Sequence, residues 1–297
     1  MRRQGLNLQG RHLRVAVLGV GTMGSAMASR LAGQGFEVLL WNRTRDKAEA
    51  LARSIGAQVY PSPWSAVERA DAAVSFVADD DALLGIVADL RRADGLVFVN
   101  SSTVTPKAST AISTHLGNLG ICYVEAPVVG GASEIKQGRA LFLVAGDRSC
   151  IRASARILTT AGDILEVGEK VGAAMALKLA YNAVLISTIG VLSEAMALAE
   201  AYGVNPDSLK DVMRRTAFAE VANRYLPRIL DPSSPVHFRL SLAAKDLEYA
   251  GRAAFDSGVP LSIVSAASRL FKHADAQGLG FQDYTRVVDF IRPKRAS

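Results

Sequence analysis

One six-residue stretch constrains the fold of this chain more than any other. Gly19-Val20-Gly21-Thr22-Met23-Gly24 lies between the apolar run Val15-Ala16-Val17-Leu18 and an Ala-rich helical stretch. Each glycine at this spacing has a mechanical use: the first permits a tight turn, the second lets the backbone come close to another body, and the third lets helix pack on strand. A second β-like run at residues 37–41 completes a strand–helix–strand unit. Further runs at 73–76, 96–99, 121–124, 140–144 and 164–167 read as strands, and 22–34, 46–54, 80–90 and 105–119 as helices between the early ones. Strands alternating with helices of this length predict a mainly parallel, doubly wound sheet.

After Gly172 the β signals stop. Residues 173–201 have only Lys178, Glu194 and Glu200 as charges, and Gly203 and Asn205-Pro206 punctuate the end. A helix of that length, apolar nearly all round, must be buried on most faces, as the spine of a helical domain and of a subunit interface. Stretches 205–216, 242–256, 262–277 and 282–291 complete an all-helical half, with Asp231-Pro232-Ser233-Ser234-Pro235 as an irregular loop. The expected fold class is therefore α/β: an N-terminal Rossmann-type doubly wound sheet over residues 14–170 and an all-helical C-terminal domain over 171–297, joined by the long helix, with a basic tail at 1–13.

Strand, glycine loop and helix N-terminus together predict a dinucleotide site, with Gly19, Gly21, Thr22, Met23 and Gly24 at the pyrophosphate. The end of the second strand selects the cofactor. An NAD site would carry an acid there for the ribose hydroxyls, whereas this chain reads Asn42-Arg43-Thr44-Arg45. Arg43 can stack on adenine and pair with a 2′-phosphate, with Asn42 and Thr44 donating to it, so NADP(H) is expected over NAD(H). Val77, Ala78 and Asp79, after the next strand, are expected to line the cofactor.

Composition sets the remaining bounds. The chain has 297 residues and a net charge of +6, but residues 1–14 hold four Arg and no acid, and 291–297 hold two Arg, one Lys and no acid. Residues 15–290 carry 27 bases and 28 acids, too even a balance to neutralise a phosphate backbone, so no nucleic-acid partner is expected. Cys122 and Cys150 stand far apart and in no C-x-x-C, which indicates neither a disulfide nor a zinc site, and a reducing cytoplasm is the expected compartment. None of the four histidines sits in a metal motif, and no metal is expected. The basic start leads into no apolar signal segment, and the 15 uncharged residues at 179–193 fall short of a membrane span.

With these motifs in place, the chain resembles the β-hydroxyacid dehydrogenase family, which includes 3-hydroxyisobutyrate dehydrogenases and glyoxylate/succinic semialdehyde reductases. The resemblance spans residues 15–291. It is carried by the glycine loop, Asn42-Arg43-Thr44, Ser102-Thr103 with Pro106, Ala126-Pro127-Val128 with Gly130-Gly131, Lys178 with Asn182, and Phe238 with Lys245-Asp246. It implies that Lys178 is the catalytic lysine, giving a proton to a carbonyl oxygen as hydride reaches the carbon. Burial in an apolar helix lowers a lysine pKa toward the working range. Asn182, one turn on, would orient the amine and bind substrate. Ser102, Thr103, Gly130, Gly131, Phe238 and Asp246 would meet substrate, with Thr103 also beside the nicotinamide and Lys245 toward the cofactor. Asp246 has an alternative reading as a helix salt-bridge partner, and Thr103 as an ST-turn or as the N-cap of the helix beginning near Thr105, a role that could coexist with substrate contact.

The expected activity is NADPH-dependent interconversion of a small carboxylate-bearing aldehyde and its hydroxyacid by a homodimer or tetramer. Five residues in three places depart from the family pattern. Val129 replaces the usual Ser of the substrate loop, so carboxylate binding would fall to the N–H groups of Gly130 and Gly131. Glu134-Ile135 stand where Gly-Ala is usual, and Arg139-Ala140 where Thr-Leu is common. An imine reductase of the same architecture is the alternative enzyme, and a non-catalytic NADPH-binding dimeric module the alternative of another class. Lys178 argues against both.

Overall fold

The computed structural model describes residues 13–292, as two compact units whose boundary falls inside one helix, at Lys178 and Leu179. The sequence places that boundary at 170/171, where the β signals end. The basic tail at 1–13, Leu13 apart, and the last bases of the chain lie outside the described residues.

The first unit opens with β1 (Arg14–Leu18), α1 (Thr22–Gly33), β2 (Glu37–Trp41), α2 (Arg45–Ile55), β3 (Gln58–Val59), α3 (Pro63–Val67), β4 (Ala72–Ser75) and α4 (Asp80–Ala88). It continues through β5 (Val97–Asn100), α5 (Pro106–Asn118), β6 (Cys122–Glu125), β7 (Val128–Val129), α6 (Ala132–Gln137), β8 (Ala140–Gly146), α7 (Arg148–Ala161) and β9 (Gly162–Gly168) to the start of α8 (Ala173–Ala201). The strands form one sheet in the order β3-β2-β1-β4-β5-β6-β8-β7, with β9 on β8. The first six strands are parallel; β8 runs antiparallel to β6 and β7, and β9 parallel to β8. Winding proceeds one way from β1 to β3 and the other from β4 to β6. The carboxyl end of β1 is therefore the switch point at which such sheets hold ligands.

Strand residues alternate between two buried cores. Val15, Val17, Val38, Leu40, Val97 and Val99 face one, while Ala16, Leu18, Leu39, Phe98 and Tyr123 face the other. Helices on both faces demand this doubly apolar pattern, because neither side of a central strand meets water. Phe98 and Phe142 are fully buried, and truncation of either to Ala costs ~3–5 kcal/mol.

The helices expected from sequence do not include α7, whose apolar positions Ile151, Ile157, Leu158 and Ala161 are buried in the first core. The expectation of no disulfide is corrected. Cys122 on β6 and Cys150 on α7 are bonded, with Cα atoms 5.7 Å apart and a sequence separation of 28. Their pairing follows from α7 packing back against the sheet, a relationship that spacing alone does not reveal.

The second unit contains the rest of α8, then α9 (Pro206–Arg214), α10 (Ala219–Leu230), α11 (Leu240–Ser257), α12 (Ser262–Ala274) and α13 (Val287–Ile291). Its core gathers Ile186, Ile189, Leu192 and Met196 of α8 with Leu226, Ile229, Leu240, Leu247 and Phe271. The sequence hides α10 because Pro227 lies inside it. By length and hydropathy α8 could cross a membrane, which a count of uncharged residues understates; half of its most apolar window is buried within the protein.

Candidate active site

The glycine loop shows why each position is glycine. Gly19 has φ +96°, and a Cβ on it would lie 2.2 Å from the Phe76 carbonyl oxygen. At Gly24 a Cβ would lie 1.9 Å from the Gly19 carbonyl oxygen. Gly21 differs, because a Cβ there meets nothing within 4 Å. It faces open space at the N-terminus of α1, where neither a side-chain cap nor an acid in the first turn competes for the amides. Steric demand at Gly19 and Gly24 with room at Gly21 fits a pyrophosphate against the backbone.

At the end of β2 the Asn42 carboxamide is largely committed. Its Oδ1 accepts the Val20 N–H at 3.0 Å, and its Nδ2 donates to the Thr44 carbonyl at 2.7 Å. Asn42 therefore braces the glycine loop against the turn that presents Arg43 and Thr44, both exposed. Arg45 pairs with Glu49 at 2.7 Å, whereas Arg43 has no acidic partner among the described residues.

Past β4, the Val77 N–H donates to Ser102 Oγ at 2.9 Å, and Ser102 Oγ donates in turn to the Ser75 carbonyl at 3.3 Å. The Ser102 hydroxyl is spent tying the two loops together. Asp79 caps α4 through the Ala82 N–H at 2.8 Å, so its side chain serves the helix and its backbone is left for a cofactor role. The cap of α5 is Thr105, whose hydroxyl accepts the Ala108 N–H at 3.1 Å and donates to Asp80 at 2.8 Å. The capping alternative for Thr103 is thereby removed, and Thr103 lies half-buried two residues before it.

In the substrate loop one expectation needs correction. The Gly131 N–H donates to Glu134 Oε2 at 2.8 Å, in the capping interaction that opens α6. The loop therefore does not offer the Gly130 and Gly131 amides as an equal pair: Glu134, one of the residues outside the family pattern, already engages the second.

Behind these loops runs a chain of buried polar groups that sequence patterning does not reveal. Ser75 Oγ donates to Asn100 Oδ1 at 3.0 Å, Asn100 Nδ2 to the Tyr123 hydroxyl at 3.1 Å, and the Tyr123 and Ser109 hydroxyls share a hydrogen at 2.7 Å. Burial, reinforced by nearby Glu125, pushes the Tyr123 phenol well above its ordinary value. Glu125, fully buried, accepts the Gly172 N–H at 2.8 Å and the Ala174 N–H at 3.1 Å. Burial raises its carboxyl while Ser109 and the backbone amides draw it back. The one signal in the sequence is a lone acid ending the strand Cys122-Tyr123-Val124-Glu125. Lys178, the last residue of this unit, is buried in α8.

In the second unit Asn182 Nδ2 donates to Asp246 Oδ2 at 2.6 Å. Lys245 Nζ lies 3.0 Å from Asp246 Oδ1, a charge contact rather than an aligned hydrogen bond, and 4.8 Å from the Tyr249 ring centre. Asp246 is thus both the salt-bridge partner and the anchor of Asn182. Phe238 packs edge-on to Tyr284 with ring centres 5.5 Å apart. Its N–H donates to Asp283, a buried carboxylate that also accepts from the His237 N–H and from Arg228. Asp283, to which no motif in the sequence points, fixes the segment that carries Phe238.

A dinucleotide cradle at the switch point of a doubly wound sheet, with a buried lysine in the long apolar helix that leads into a helical domain, defines a two-domain nicotinamide-dependent oxidoreductase. Residues 14–199 match the model of the NAD binding domain of 6-phosphogluconate dehydrogenase, and 172–291 that of the NAD-binding domain of NADP-dependent 3-hydroxyisobutyrate dehydrogenase. The chain belongs to the β-hydroxyacid dehydrogenase family. It is 28% identical to glyoxylate/succinic semialdehyde reductase 1 of Arabidopsis thaliana, over 95% of this chain and 100% of that one. It superposes on Mycobacterium tuberculosis 3-hydroxyisobutyrate dehydrogenase, solved with L-serine, with a TM-score of 0.82 at 26% identity, over 95% of this chain and 100% of that chain. A reductive aminase of Aspergillus terreus, solved with NADPH and ethyl levulinate, shares the fold at a TM-score of 0.65 and 21% identity, over 95% of this chain and 100% of that one.

Proposed function

We propose that this chain is an NADPH-dependent reductase of a small aldehyde acid, such as glyoxylate or succinic semialdehyde, working in either direction with the corresponding hydroxyacid. The observation that carries the reading is Lys178, a buried cation in a helix apolar on nearly every side. A lysine set among apolar neighbours gives up its proton more readily than one in water, which suits a proton donor. Bound NADPH supplies the hydride to the carbonyl carbon. Lys178 gives the proton to the carbonyl oxygen and recovers it in the reverse direction. Asn182, with its Nδ2 held by Asp246, turns its carbonyl oxygen to the other side as an acceptor. Thr103 and the Gly130 backbone position the substrate. Arg43 carries the cofactor preference by pairing with the 2′-phosphate.

The partner we assign is a second copy of the chain. Leu177, Tyr181, Val184, Val191 and Leu198 are exposed at spacings of three, four and seven along α8. That is a seam of the kind two helices bury against each other.

NADPH and NADH oxidation against glyoxylate, succinic, methylmalonic and tartronic semialdehydes, with a cyclic imine as comparison, tests the reading. It expects turnover of a semialdehyde with NADPH preferred, and loss of turnover in Lys178→Ala with cofactor binding intact. Near-parent turnover by Lys178→Ala would falsify the mechanism, and reduction of the imine alone would replace the substrate class.

A further inference from the structure

We propose that Glu125 is the positioning residue for Lys178, holding the first turn of α8 to the strand that leads into the substrate loop. The inference rests on the proton-donor role of Lys178 given above.

Glu125 closes β6, and Ala126 through Gly131 follow it directly. Both its oxygens engage the start of α8: Oε1 takes the Gly172 N–H at 2.8 Å and Oε2 the Ala174 N–H at 3.1 Å. These donors flank Ala173, the first helical residue, and belong to the set that a helix start leaves without partners inside the helix. The first turn of α8 contains no acid of its own, so Glu125 supplies the negative group that the positive helix end favours. Two contacts from one rigid carboxylate fix where the turn lies and how it is rotated about its axis. Lys178 stands four residues beyond Ala174, one turn on and on the same side, so rotation of the first turn carries it directly.

The surroundings hold Glu125 in turn. Ser109 on α5 bonds both Glu125 and Tyr123, and Tyr123 continues to Asn100. A fully buried acid is expensive to keep unless its oxygens are engaged, as those of Glu125 are. An apolar residue would pack there but would leave the Gly172 and Ala174 amides without acceptors. The arrangement couples the substrate loop and the proton donor through one side chain.

The test compares Glu125→Gln, Ala174→Pro, Lys178→Ala and the Glu125→Gln/Lys178→Ala double variant in the full chain, by steady-state reduction of the best semialdehyde with NADPH. Glutamine keeps the shape but turns an NH2 toward one amide, and proline, tolerated in a first helical turn, removes the other donor. Misplacement of a reacting group by about 1 Å costs on the order of a hundredfold. The expected result is a fall in kcat of at least about tenfold in both single variants with the KM for NADPH within about twofold of the parent, and a double variant no slower than Lys178→Ala. An unchanged kcat in the folded single variants overturns the proposal, as does a double variant in which the two losses multiply. Failure of both single variants to fold also overturns it, since Glu125 would then serve folding rather than placement. Near-parent turnover by Lys178→Ala removes the proton-donor reading itself and this inference with it, so that arm separates the two failures.

Discussion

Asn182 Nδ2 donates to Asp246 Oδ2 at 2.6 Å, joining α8 to α11 through two buried side chains. An aspartate only accepts, so this bond fixes the orientation of the carboxamide and makes its other end an acceptor. Asp246→Ala frees the amide to rotate and removes the negative charge beside Lys245. A hydrogen bond to a charged group is worth ~1.5–3 kcal/mol, so kcat should fall by about 10- to 100-fold. Asp246→Asn, which retains a carbonyl oxygen, should recover part of the loss. Steady-state kinetics on both variants, with NADPH affinity measured separately, checks the ordering.

The glycine loop gives a pair of opposite outcomes. Gly24→Ala places a methyl 1.9 Å from a backbone oxygen and should destabilise the folded chain without cofactor, by at least ~1–3 kcal/mol. Gly21→Ala meets nothing within 4 Å and should leave the melting temperature of the cofactor-free chain unchanged. It should nevertheless abolish the stabilisation that added NADPH provides, because the new methyl occupies the space for the pyrophosphate. Thermal melts with and without NADPH distinguish the two. Equal behaviour of both variants would mean that Gly21 does not face the cofactor.

Local sequence windows carry much of this site. Gly19, Gly21 and Gly24, the acid-free end of β2, and Lys178 with Asn182 are all legible over a few residues, where chain geometry dictates neighbours. Glu125 with Gly172, Cys122 with Cys150, and Asp283 with His237 are not, because each joins segments that only the folded sheet or bundle brings together. Asp79 and Ser102 mark a third kind of limit. Their positions follow from the strand ends, while the hydrogen bonds that commit their side chains to Ala82 and Ser75 depend on exact loop paths. Gly131 with Glu134 is the exception: it is a cap spanning three residues, local enough to be read from the chain directly.

That cap leads to a prediction about substrate. Glu134→Ala releases the Gly131 N–H and removes a negative charge from the loop. The KM for a carboxylated semialdehyde should fall by about three- to tenfold, while stability drops by ~0.5–1 kcal/mol for the lost cap. An unchanged KM would show that the substrate carboxylate is held elsewhere.

Glu125 also sets a pH dependence. Burial holds its carboxyl above the ordinary glutamate value in the folded chain. Between those two values the folded chain keeps a proton that the unfolded chain has released, so the stability from this group declines as pH rises through the window. Glu125→Gln has no such proton to keep. Melting temperatures taken at steps across mildly acidic pH should fall more steeply for the parent than for the variant, and parallel curves would rule the effect out.

The disulfide from Cys122 to Cys150 makes a covalent ring of the segment holding the substrate loop, α6 and β8. A protease that cuts once inside that ring opens the backbone without releasing either piece. The nicked chain would migrate as one molecule under oxidising conditions and as two after reduction. The loop from Ala126 to Gly131 can therefore be cleaved while its two points of attachment, β6 and α7, stay tethered.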